Sequence, residues 1–224
     1  MKHRVVYIAL IAAITGGIFL QQKKLTVYSS SQSWKVESLT TVPSDVRLRP
    51  ALLGFDATLS HILWIKTVLY FGSHYVTDKS YPWLIKMVDI ITRLNPYFYP
   101  AYEFAGIMIP ITCNNPEAAR VILERGFTHL GTKKWNIGFY LGMLYYNYYG
   151  EKTIAADYLR FASLANDAPV KKLISMASAF YSQAGKNALG MQLLQIMVES
   201  SQNPEVRRYL SSEIQNLIKR ERER

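Results

Sequence analysis

From Phe55 onward the apolar positions recur at intervals of three and four, the period of a helix with one buried face, and not at the interval of two that marks a half-buried strand. The pattern predicts helices over about 56–75, 82–94, 100–110, 116–130, 134–149, 152–166, 169–184, 187–200 and 204–222. The breaks between them carry their own chemistry. Asp56 is placed to cap the first helix, and Pro82 falls in the first turn of the second. That second helix stops before Asn95-Pro96, because a residue preceding proline is pushed out of the helical region. Pro100 opens the third helix and Pro110 ends or kinks it. Asn115-Pro116-Glu117 is a strong start for the fourth. No segment reads as a strand, so the expected class is all-α.

The chain before Phe55 has a different character. Val5 to Leu20 is sixteen residues without a charge, preceded by a short basic start and stopped by Gln21, Gln22, Lys23 and Lys24. At about 1.5 Å per residue the run reaches about 24 Å, a little short of the ~30 Å hydrocarbon core, and flanking side chains can snorkel across the difference. It reads as an uncleaved single-pass membrane anchor. The competing reading is a cleaved secretory signal, but Gly17-Ile-Phe-Leu20 is not a small-x-small processing site. Lysines lie on both sides of the run, so the charge bias on orientation is nearly a tie. The signal-like layout favours a body on the outer side of the membrane. Residues 25–53 are rich in Ser, Thr and Pro without helical period, and they read as a polar linker. The expected organisation is an anchor over 1–24, the linker over 25–53, helical repeats over 54–203 and a charged capping helix over 204–224.

Small residues suggest a repeat. Gly72 and Gly106 are 34 apart and Gly142 follows 36 later, each in the first helix of a predicted pair. Phe71, Ala105 and Leu141 precede them, and Tyr75, Ile109 and Tyr145 follow at three. Leu84 and Ala118 lie twelve residues after the first two glycines, and Ala155 lies thirteen after the third. This resembles the tetratricopeptide repeat (TPR), a 34-residue helix-turn-helix with Leu-Gly and Tyr in its first helix, a small residue in its second and a closing Pro. The match covers roughly 65–166, with a degenerate further pair over 169–200. Val68, Tyr102 and Gly138 stand where the family has Trp, and Leu130 where it has Pro. The resemblance implies a short TPR-like solenoid behind the single transmembrane helix, as in bacterial membrane-anchored TPR proteins, most of which serve as scaffolds.

Composition narrows the chemistry. One cysteine excludes an internal disulfide framework, and four scattered histidines argue against a metal site. The net charge of +10 specifies no partner by itself, and the Lys219–Arg224 tail alternates in sign like a solvated helix end, so no nucleic acid is expected. There is no phosphate-binding glycine loop, HExxH or nucleophile elbow. His61 and His74 are thirteen apart on one helix and fall on opposed faces, Cys113 is a lone small residue, and Asp89 and Glu103 lack a catalytic partner. No catalytic, metal or cofactor residue is expected, and the chain is not expected to be an enzyme.

Seven aromatic side chains crowd residues 135–149, too many for one stripe. By the TPR resemblance, the inner faces of the first helices line a concave groove. That implies Leu69, Ser73, Val76, Glu103, Ile107, Phe139, Met143 and Tyr146 as partner-binding residues. The surface is mostly apolar and suits an apolar helix or segment of a protein partner. Burial of the same side chains inside the array is the open alternative. The expected function is a membrane-anchored scaffold or adaptor in a cell-envelope assembly, or else a permanent accessory subunit of a larger membrane complex.

Overall fold

The structure is a computed structural model and describes residues 54–222. The expected anchor and linker lie outside the described residues. The helices are α1 (Asp56–Val76), α2 (Leu84–Leu94), α3 (Tyr99–Thr112), α4 (Pro116–Leu130) and α5 (Trp135–Leu144). After α5 comes a π segment (Tyr145–Tyr149), then α6 (Lys152–Ala162), α7 (Val170–Gln183), α8 (Asn187–Ser200) and α9 (Pro204–Arg222). Among the described residues there are nine α-helices and no strand, and no helix is long and apolar enough to cross a membrane.

The ends follow from local chemistry. Asn115 caps α4 by accepting the Ala118 amide at 2.9 Å, with Pro116 at the first helical position. Asn203 accepts the Glu205 amide at 2.9 Å at the start of α9. Asp56 does not cap α1: Phe55 takes the cap position, and Asp56 sits in the first turn, where its charge suits the helix dipole. Pro110 does not end α3, which runs on to Thr112. Gly150 closes the π segment at φ 70°, a left-handed conformation that costs glycine little.

Each helix packs on the next, so α1/α2, α3/α4, α5/α6 and α7/α8 are hairpins, with α9 closing the series. Neighbouring hairpins also touch like on like: α2 on α4, α3 on α5, and α7 on α9. The first residues of α3, α5, α7 and α9 are spaced 36, 35 and 34 apart, and those of α4, α6 and α8 are spaced 36 and 35 apart. Polar bonds between hairpins span the same distance in sequence. Arg125 donates to Asp89 at 2.8 Å, Tyr140 to Glu103 at 3.3 Å, and Tyr146 to Gln183 at 3.0 Å. This is the packing of a helical solenoid.

Small residues set how closely helices approach, though not all where the sequence spacing put them. A Cβ on Gly126 would lie 2.5 Å from the Tyr102 ring, and one on Gly142 would lie 3.0 Å from the Ala155 carbonyl oxygen. Both are contacts within a hairpin. Gly106 instead accommodates the next hairpin, with Tyr140 at 2.8 Å. Gly72 is exposed with nothing within 4 Å, so the 34-residue step from Gly72 to Gly106 joins unlike positions. Ala119 of α4 and Ala155 of α6 are fully buried and each lies thirteen after a glycine, whereas Ala118 is only half-buried. Gly106→Leu is expected to destabilise by about 1–3 kcal/mol through overpacking. Gly72→Ala is expected to stabilise by about 0.5–1 kcal/mol, through helix propensity at an open site. Urea melts of the two variants against the parent check both signs.

Candidate protein-interaction surface

α1 is apolar on three sides. Its first side, Ser60, Leu63, Thr67 and Tyr70, is buried and runs at spacings of three and four. The two hydroxyls there cost little, because Ser60 donates to the Ala57 carbonyl at 2.7 Å and Thr67 to that of Leu63 at 2.8 Å. Tyr70 accepts the Trp83 amide at the start of α2. The second side meets α3, where Phe104 lies edge-on to Trp64 at 5.6 Å and to Phe71 at 5.2 Å. The third side is exposed. Leu69 is 66% and Val76 79% accessible, and Ile62 and Ile65 share their stripe. On α3 the exposed flank beside Phe104 carries Ile107 and Ile111, the latter 71% accessible.

The eight residues expected to line a groove therefore divide. Leu69, Val76 and Ile107 are exposed, as is Ser73, whose hydroxyl donates to the Tyr70 carbonyl. Glu103 is held between two tyrosines, accepting from Tyr99 at 2.9 Å and Tyr140 at 3.3 Å. Phe139, Met143 and Tyr146 are half-buried against the core of the C-terminal hairpins. Tyr146 stacks on Phe180 with centroids 4.1 Å apart and planes at 10°. On α5 the structure thus favours internal burial over an open groove. Ile62, Ile65 and Ile111 are exposed residues that the sequence reading missed. The signal for the first two was their spacing with Leu69, hidden because α1 is apolar on its other sides as well.

The crowded aromatic segment serves four directions. Tyr140 turns to α3, Tyr146 to α7, and Tyr148 to solvent. Tyr145 and Tyr149 turn to α4, donating to Glu124 at 3.0 Å and Glu117 at 2.9 Å. Arg120 bridges both carboxylates, at 2.5 Å from Glu117 and 2.7 Å from Glu124. Hydrogen bonds from Arg120 and Tyr149 hold the Glu117 carboxyl down at about 2. Burial pushes the phenols of Tyr102, Tyr158 and Tyr181 up to about 12, with the Asp157 hydrogen bond adding to the effect at Tyr181. Among the described residues, no three His, Cys, Asp or Glu side chains are grouped to hold a metal. The chemistry this surface offers is apolar association.

Compared with known proteins, the chain matches no family model, no curated protein and no solved structure.

Two outcomes follow from this geometry. Phe139→Ser combined with Tyr146→Ser is expected to lower stability by several kcal/mol, since truncating a fully buried large aromatic costs about 3–5 kcal/mol and these two are half-buried. A melt with an unchanged midpoint would return both rings to an open groove. Raised phenol pKa values mean that folding favours the neutral tyrosine. The stability this provides is complete below the unfolded pKa of 10 and is lost as pH rises to about 12. In an alkaline titration, the last phenolate absorbance is expected to appear together with loss of helical circular dichroism.

Proposed function

We propose that this chain is a membrane-anchored, TPR-like scaffold that holds a protein partner in a cell-envelope assembly. The anchor is Val5–Leu20, and the helical body stands on the outer side of the membrane. The spacing of 34–36 residues between like helices supports the TPR-like reading. The observation that carries the interaction role is the large apolar side chains left exposed on α1 and α3, Leu69, Val76, Ile107 and Ile111 among them. Contiguous apolar surface on a folded body marks an interaction site more often than chance exposure does. The occupant that suits it is an apolar helix or segment, bound without charge pairing.

A second reading is a permanent accessory subunit of a larger membrane complex. The degree of exposure at Val76 and Ile111 favours it, because a face this bare invites aggregation unless it is covered throughout the protein's life.

Affinity purification of the full chain in mild detergent tests both. A stoichiometric partner is expected for a permanent subunit, and a substoichiometric one for an adaptor. Ile107→Ser with Ile111→Ser is expected to lose the partner while leaving circular dichroism unchanged, since the exposed Ile111 and half-exposed Ile107 contribute little to the fold. Full retention of the partner by that variant would reject this flank.

A further inference from the structure

The odd-numbered helices run parallel, so their starts share one edge of the array with the connections between hairpins. Two ring contacts tie neighbouring starts together. Lys134, just before α5, holds its ammonium 5.1 Å from the centre of the Tyr99 ring, which begins α3. Lys171, in the first turn of α7, lies 3.9 Å from the centre of the Tyr209 ring near the start of α9. At the far ends of α5 and α7, Tyr146 reaches Gln183 in the same parallel sense.

This edge carries a ladder of basic pairs. Lys133-Lys134 precede α5, Lys171-Lys172 lie in the first turn of α7, and Arg207-Arg208 lie near the start of α9, at steps of 38 and 36 residues. All six are exposed, and among the described residues none of them forms an ion pair. The exposed carboxylates of the same connections and helix ends are Asp167, Glu199 and Glu205, half as many. Residues 1–53 hold seven Lys and Arg against two Asp and Glu, so the preceding chain brings no charge to match. Helices pack about 8–10 Å apart, so the three pairs form a row about 20 Å long. Like charges held in a row repel, and what relieves them is an extended anionic surface.

Apolar side chains stand among the cations. Leu164, between α6 and α7, is 68% exposed, and Tyr97, between α2 and α3, is 64% exposed. The row projects from turns and helix starts and is not recessed in a groove, so an acidic peptide has nothing to lie in. A nucleic acid would take the cations and could stack on Tyr97, but it gains nothing from an exposed leucine. A bilayer rewards all of them: phosphates meet the cations, and the boundary of the acyl chains takes Leu164 and Tyr97.

We infer that this edge rests on the headgroups of an anionic phospholipid bilayer, with the basic pairs on phosphate and Leu164 dipping below them. The edge shares no residue with the proposed scaffold surface, and Val76 and Ile111 lie at the opposite ends of α1 and α3. It does not depend on the Val5–Leu20 anchor either.

The test uses the full chain with Cys113→Ser and one new cysteine carrying a fluorophore, in phosphatidylcholine vesicles with or without phosphatidylglycerol, the acyl chains brominated as quenchers. Asn166→Cys, exposed beside Leu164, is expected to be quenched in the anionic vesicles and not in the neutral ones. Glu151→Cys, on the opposite edge, is expected to stay bright in both. The quenching is expected to vanish in about 1 M salt, where charges are screened beyond about 3 Å. Lys133→Glu, Lys172→Glu and Arg208→Glu together are expected to weaken the contact about tenfold or more with unchanged circular dichroism. Lys79→Glu, Lys152→Glu and Lys186→Glu change the net charge equally on the opposite edge and are expected to keep it. Equal quenching at the two cysteines, or loss of contact that is equal in the two triple variants, overturns the inference. So does quenching that neutral vesicles or high salt leave intact. Poly(U) RNA that lifts the quenching at equal phosphate concentration gives the edge to nucleic acid and also overturns it. Flotation with neutral vesicles in high salt reads the anchor separately, so its failure is distinguishable from failure of this edge.

Discussion

A two-helix hairpin has more apolar surface than its own internal contact can cover, so it is stable only with a neighbour on each side. That constraint orders the rest of this molecule. Within a hairpin, Gly126 against Tyr102 and Gly142 against Ala155 bring the helices close enough to bury Ile122, Leu123 and Leu159 completely. Between hairpins, the contact is made by large rings with a polar end. Tyr140, Tyr145, Tyr146 and Tyr181 each place an aromatic body on the neighbouring helix and donate their hydroxyl to Glu103, Glu124, Gln183 and Asp157. A tyrosine at such a joint gains apolar burial without stranding its hydroxyl. Arg125 does the same for the even helices, reaching Asp89 at 2.8 Å and Thr92 at 2.7 Å. Carboxylates that looked isolated along the chain are thus the acceptors of the joints between hairpins. This explains why Asp89 and Glu103 sit on helix faces that sequence spacing gave no reason to pair.

Helix boundaries were largely legible because they depend on residues close in sequence. Asn115-Pro116, Asn95-Pro96 and the Asn203 turn stop or start helices through one or two hydrogen bonds and a fixed φ. Interfaces were less legible because they depend on which helix lies opposite. The step of 34 from Gly72 to Gly106 matched a known period, yet Gly72 faces open space and Gly106 faces Tyr140. The packing step is the one of 36 residues, from Tyr99 to Trp135 and from Pro116 to Lys152. A residue's position in such a step says which turn of the helix it occupies. It does not say whether that turn looks at its own hairpin or at the next. Tyr146 was placed on an inner face on the same logic, and the stacking on Phe180 arises from α7, far along the chain. The crowding of rings in 135–149 was the usable clue: it showed that several neighbours had to be served, but not which.

The π segment shows how one stretch serves so many. In Tyr145–Tyr149 the backbone widens, and the amides of both Gly150 and Glu151 bond back to the Tyr145 carbonyl before Gly150 reverses the chain. Tyr145 and Tyr149, four apart, share one face of this turn and both reach α4. Tyr146, one residue on, is left facing α7. The irregular turn, inside the third hairpin, is therefore held to the second by α4 on one side and to the fourth by α7 on the other.

The same reasoning separates α1 from a membrane span. Its 21 residues would reach about 32 Å, enough to cross a bilayer. Length is not what disqualifies it. Asp56, His61, Lys66 and His74 are distributed along it, and Ser60 and Thr67 lie on the side that packs against protein, with their hydroxyls returned to the helix's own carbonyls. Its apolar residues are sorted by direction: one stripe against α2, one toward Phe104, and one outward. Lipid surrounds a helix evenly and needs no such sorting, whereas packed helices meet along separate seams. The outward stripe repeats the period of the two covered ones. On that ground the stripe has the pattern of a packing seam, as the two covered sides do.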